Sequence, residues 1–104
     1  MTNKIELGTD RDRDTGTVRV TGEVDLTSAP RLEQTIRELI DGGVRRLVVD
    51  LSSVRFMDST GLRVLMSSYK RLEEVGGSLV LGRPSEAVRR VLDVSGLNSH
   101  FTVE

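Results

Sequence analysis

The chain has 104 residues, with 15 Lys and Arg against 16 Asp and Glu, no cysteine or tryptophan, and two Phe and one Tyr as its only aromatic residues. That length predicts one domain spanning residues 1–104, and Val, Leu and Ile at 30 positions supply a core without disulfide or metal staples. A formal net charge of −1 argues against nucleic acid and anionic lipid as partners, and the missing thiols exclude disulfides, thiolate nucleophiles, iron–sulfur clusters and Cys-ligated zinc.

Met1 leads into Thr2-Asn3-Lys4-Ile5-Glu6 rather than the apolar segment of a secretory signal, and no later run approaches about 18 apolar residues. The expected address is the cytoplasm, without membrane insertion. Ile5 and Leu7, then Val18, Val20 and Val24, alternate with polar residues, the period of two half-buried strands. Between them the polar stretch Thr9 to Gly16 predicts a long, mobile hairpin loop joining an antiparallel pair.

From Ala29 the period becomes helical, with Ala29, Leu32, Ile36, Leu39 and Ile40 on one face, Thr27 or Ser28 as cap, Pro30 in the first turn and Gly42-Gly43 as the stop. Arg46 to Leu51 carries an unbroken Leu-Val-Val run, which predicts a central strand covered on both faces. After a loop, Leu62, Leu65, Met66, Tyr69 and Leu72 mark one face of a second helix, with Arg63, Lys70 and Glu74 opposite and Gly76-Gly77 at its end.

Ser78 to Leu81 is a further short strand, and Ser85 caps a third helix with Ala87, Val88, Val91 and Leu92 inward and Gly96 at its close. A short edge strand is expected around Phe101 and Val103. The order is that of an α/β domain: a mixed sheet of four to five strands with an N-terminal antiparallel hairpin and helices from right-handed strand–helix–strand crossovers.

Few residues offer chemistry. His100 is the single histidine and lies in the C-terminal tail, so a Ser-His-Asp triad would have to recruit its base from a weakly structured segment. Asp10, Asp12 and Asp14 imitate the first half of a calcium loop, but Thr15 stands where that loop needs Gly and Thr21 where it needs a bidentate Glu. No Gly-rich loop followed by Lys-Ser/Thr opens a helix.

The informative stretch runs from Asp50 to Leu62. A central strand ends, the apolar pair Phe56-Met57 follows in a loop, and Asp58-Ser59-Thr60-Gly61 opens the second helix. Asp58 or Ser59 suits an N-cap, and Gly61 suits close approach to the sheet. A hydroxyl in the first turn sits beside free N–H groups at the positive end of the helix dipole, a place suited to carrying a phosphate. It also lies beyond the carboxyl end of a central strand, where Asp25, ending the neighbouring strand, reaches the same rim. A hydrolase built on Ser59 would lack a nearby base.

Gly22-Glu23-Val24-Asp25, Val48 through Leu62, Gly76-Gly77 and Val94-Ser95-Gly96-Leu97 together resemble the STAS domain family, and within it the bacterial anti-anti-sigma factors. The similarity runs from about Val18 to Val103 without large insertions. It implies a non-enzymatic regulator with no cofactor or metal, whose partner is an anti-sigma factor that is also a serine kinase. Ser59 holds the position such a kinase phosphorylates, and a metal-dependent serine phosphatase acting on phosphorylated Ser59 restores the free hydroxyl. The resemblance further implies a partner-binding edge of Asp25, Thr27, Asp58, Ser59, Thr60, Gly61 and Arg63, with Thr60 in place of the second serine of some relatives. The alternative it leaves open is a non-phosphorylated STAS scaffold or accessory subunit of a signalling or lipid-transport complex.

Overall fold

The structure is a computed structural model and describes residues 4–104. Its elements are β1 (Ile5–Asp12), β2 (Thr15–Val24), α1 (Ala29–Asp41), β3 (Arg46–Met57), α2 (Ser59–Glu74), β4 (Ser78–Gly82), α3 (Glu86–Ser95) and β5 (Thr102–Val103). The five strands form one sheet in the order β1-β2-β3-β4-β5. β1 and β2 are antiparallel, the other three pairings are parallel, and each parallel pair is connected through a helix. The mixed α/β sheet, its N-terminal hairpin and the short C-terminal edge strand are those the sequence predicts.

The Thr9–Gly16 stretch is not the long loop expected from its composition. β1 and β2 continue through it, with Asp12 opposite Thr15, so the connection shrinks to Arg13 and Asp14. Arg13 takes the left-handed backbone (φ 60°) that such a tight turn requires. The turn is anchored from outside the hairpin, because the Asp14 carbonyl accepts the backbone N–H groups of Arg45 and Arg46 at 2.7 and 3.0 Å. The three aspartates of the imitation calcium loop are thus distributed over strand and turn.

β3 likewise runs on to Met57, taking in residues expected as loop. Its pairing with β2 is offset twice, between Arg19 and Thr21 and between Gly22 and Glu23. Such irregularities bend a strand and break its alternation, which is why the continuation carries no period-two signal.

The sheet is packed on one face. Val18, Val20, Leu47, Val49, Leu51, Leu79 and Leu81 join Leu32, Ile36, Leu65, Leu72, Val88 and Leu92 from the three helices in a single core. On the opposite face Arg19, Thr21 and Ser52 are exposed and Thr17, Val48 and Asp50 half-buried. The central strand is therefore covered on one side rather than the expected two. Of the α2 face, Leu62, Leu65 and Leu72 are buried and Met66 and Tyr69 pack against the core edge. Val64 and Ser68 are buried as well, because α2 packs between α1 and α3 and against the sheet. Ser68 satisfies its hydroxyl by donating to the Val64 carbonyl at 2.7 Å.

Candidate functional site: the edge at the start of the second helix

Register alone brings the two acidic positions together. Val24 pairs with Met57, so the next residue on each strand, Asp25 and Asp58, leaves the same end of the sheet. The Asp58 N–H donates to the Val24 carbonyl at 3.3 Å, closing the junction between them.

Asp58 then starts α2. Its backbone is extended (φ −110°, ψ −169°) and its Oδ1 accepts the Thr60 N–H at 2.9 Å, the geometry of an N-cap. Its carbonyl accepts the Gly61 N–H at 3.1 Å, drawing in the first turn. Ser59, the first residue of the helix, is exposed, and Thr60 is half-buried. Among the described residues the Ser59 hydroxyl has no hydrogen-bond partner, so it stands open to solvent beside the helix start.

Gly61 is the reason the helix can begin so close to the strands. A Cβ at this position would lie 2.6 Å from Met57 Cγ and 3.0 Å from Val24 Cγ1. Gly61 thus lies beneath the edge rather than on it. Arg63 is exposed one turn beyond Ser59 on the same flank of α2.

Asp25 is the most constrained group of the edge. Its Oδ1 accepts the Thr27 N–H (3.0 Å), the Thr27 hydroxyl (2.8 Å) and the Ser28 N–H (3.1 Å), while its Oδ2 receives the Lys4 ammonium at 2.8 Å. These bonds, that from Lys4 foremost, hold its carboxyl well below the usual carboxylate range, and the same contact raises Lys4. Ser28 is buried and does not cap α1 with its side chain. Its hydroxyl turns back, donating to the Glu23 carbonyl at 2.7 Å and accepting the Asp25 N–H at 2.9 Å, and so stiffens the loop that carries Asp25 and Thr27.

All seven residues expected at a partner edge therefore fall at one end of the sheet, with Asp25, Thr27, Asp58, Ser59, Thr60 and Arg63 at the surface and Gly61 underneath. Lys4, Ser28 and Leu26 were not legible as members. Leu26 is 75 % exposed between Asp25 and Thr27, and Phe56, two residues before Asp58, is 48 % exposed, which gives this end apolar as well as acidic character.

Two other features lie elsewhere. Asp50, on the open face, feels burial that pushes its carboxyl up, but hydrogen bonds from the Ser52 N–H and hydroxyl and from Arg83 outweigh it and hold the group low. It lines a groove of about 300 Å³ with Glu6, Arg19, Thr21 and Ser53. His100 packs against Tyr69 with the rings tilted and their centroids 4.8 Å apart. Tyr69 is nearly three turns along α2 from Ser59, about 15 Å at 1.5 Å per residue, so His100 is no base for that hydroxyl.

The fold and this edge define a small α/β domain that offers an exposed serine at a helix start. A family model described as "Mlab, STAS domain" matches residues 7–103, and the chain belongs to the STAS domain family. It is 40% identical over 80 residues to the anti-sigma-B factor antagonist of Bacillus subtilis, covering 77% of this chain and 72% of that one. Among solved structures, an anti-sigma factor antagonist from Mycobacterium paratuberculosis superposes with a TM-score of 0.84 at 32% identity, covering 95% of this chain and 84% of that one. The anti-sigma factor antagonist SpoIIAA is similar in its unphosphorylated form (TM-score 0.81, 28% identity, 96% and 87% covered). The Bacillus cell fate determinant SpoIIAA in its phosphorylated form is similar too (TM-score 0.74, 27% identity, 96% and 90% covered). No helix among the described residues is long and apolar enough to cross a membrane.

Proposed function

We propose that this chain is a cytoplasmic anti-sigma factor antagonist. When Ser59 is unphosphorylated, the chain binds an anti-sigma factor that is also a serine kinase, and so frees the sigma factor. Phosphorylation of Ser59 ends that binding, and a serine phosphatase restores it. The observation that carries the reading is the exposed, unpartnered Ser59 hydroxyl in the first turn of α2, beside Asp58 and on the rim that Asp25 shares. The antagonists to which the chain is similar, one of them known in both unphosphorylated and phosphorylated forms, support it further.

A two-state device is consistent with this geometry. A phosphate on Ser59 adds about −1.5 to −2 charge. Each partner carboxylate brought to contact distance then costs about 4 kcal/mol per unit of phosphate charge at an effective dielectric of 20, before screening. A net loss of about 3 kcal/mol weakens an interface roughly a hundredfold. Within the chain itself the positive end of the α2 dipole favours the same charge by about 0.3 to 1 kcal/mol. The fold tolerates the phosphate; the interface does not.

Incubation with a cognate anti-sigma kinase and ATP, followed by peptide mass spectrometry, tests the acceptor. One phosphate is expected on Ser59 and none in Ser59→Ala. Incorporation into Ser59→Ala at parental stoichiometry would remove Ser59 and point to Thr60.

A further inference from the structure

The N-terminus of β1 is tied to the same end of the sheet. The Glu23 N–H donates to the Lys4 carbonyl at 2.8 Å, and Gly22 (φ 109°) lets β2 pass so close that a Cβ there would lie 2.1 Å from that oxygen. This backbone contact holds the Lys4 side chain over Asp25, Nζ to Oδ2 2.8 Å, with Lys4 half exposed and Asp25 19 % exposed.

The other Asp25 oxygen is already filled from its own loop, by Thr27 N–H, Thr27 hydroxyl and Ser28 N–H. Those three bonds fix the direction of the carboxylate without help from Lys4. What the lysine changes is charge. With the ammonium in place Asp25 is neutralised as a pair, and among the described residues Asp58, beside Ser59, is a carboxylate without an ion-pair partner. Without it, the rim carries a second full negative charge before any phosphate arrives.

Resting on the proposed switch, in which negative charge at Ser59 drives the partner off, we infer that Lys4 sets the charge of the edge, acting through Asp25. It keeps the unphosphorylated edge in its low-charge, binding-competent state. Charge added by removing Lys4 has the same sign as charge added by the kinase, so the two perturb binding in the same direction and differ in size.

The test is a double-mutant cycle on the full chain. Lys4→Met, Lys4→Arg, Asp25→Asn and Lys4→Met/Asp25→Asn are titrated by calorimetry against the ADP-bound anti-sigma kinase, with Ser59→Asp alongside. Lys4→Met is expected to weaken binding about two- to fivefold at roughly 0.05 M salt, less at higher salt, as exposed pairs do. Lys4→Arg should bind like the parent; in the Asp25→Asn background nothing holds the ammonium over the rim, so the Met substitution should change little further. An equal loss in both backgrounds, or no loss in either, overturns the inference. A partner-free arm follows the Asp25 carboxyl carbon by NMR: its titration midpoint should rise in Lys4→Met and stay in Lys4→Arg, and an unmoved midpoint in Lys4→Met overturns the inference equally. If Ser59→Asp binds as tightly as the parent, the phosphate switch itself fails, while the carboxyl titration still judges the lysine.

Discussion

Replacing Gly22 with alanine probes how the start of β1 and the end of β2 are held together. The new Cβ would sit 2.1 Å from the Lys4 carbonyl oxygen, a backbone atom that cannot swing aside, and 3.2 Å from the carbonyl carbon. Gly22 also adopts φ 109°, which a side chain tolerates only with about 1 to 3 kcal/mol of strain. Relief of the clash requires moving Lys4, which breaks the 2.8 Å bond from Glu23 N–H and forfeits about 0.5 to 1.5 kcal/mol more. The expected loss is thus about 2 to 4 kcal/mol. With a urea dependence of about 2 kcal/mol per molar, ordinary for a small domain, the unfolding midpoint should fall by roughly 1 to 2 M. Urea titrations followed by circular dichroism measure it. A midpoint within about 0.3 M of the parent, against that slope, would refute the claim that Gly22 is required by the approach of Lys4.

Two further outcomes follow from the packing and the edge. Leu65 is fully buried where α2 meets the sheet, so Leu65→Ala should cost about 2 to 5 kcal/mol in the same assay, and a parental melt would mean that the helix presents a different face. Because Asp25 is held below its ordinary value by Lys4 and Thr27, it stabilises the fold above the unfolded carboxylate range near pH 4, and that contribution is lost as pH falls through the depressed native value. The stability gap between the parent and Asp25→Asn should therefore narrow as urea titrations are moved from about pH 6 towards pH 2, and a gap that stays constant would show that the carboxylate gains nothing from its partners.

The helices were legible because each carries its own period and punctuation: Asp58 and Ser85 do cap α2 and α3 with their side chains, and the apolar faces of all three point inward. The expected order of strands followed from alternation with those helices. What stayed hidden has physical causes. Around Asp10 to Thr15 both faces of the hairpin are polar, so paired strand and open loop have the same composition, and only tertiary bonds from Arg45 and Arg46 to Asp14 distinguish them. Past Asp50 the register shifts remove the alternation that would have extended β3. Val48 looks like a fully covered residue in sequence, yet no element packs over its face.

At the edge itself, Asp25, Asp58 and Ser59 could be brought together from strand order and capping rules, since both depend on local pattern. Lys4 could not, because a lone lysine before a strand carries no signal until the approach at Gly22 defines where its side chain lies. The inward turn of the Ser28 hydroxyl was equally invisible: serine before a helix predicts a cap, and here the Glu23 carbonyl and the Asp25 N–H compete successfully for it.

In the proposed switch, one charge change at Ser59 releases the partner without altering the fold. That release is tested most directly by calorimetric titration of the parent, Ser59→Ala and the enzymatically phosphorylated parent against the ADP-bound anti-sigma kinase, with circular dichroism of all three. Superimposable spectra are expected, with binding by Ser59→Ala within about twofold of the parent and binding by the phosphorylated form weakened roughly a hundredfold or more. Equal affinities for the phosphorylated and unphosphorylated chains would contradict the switch.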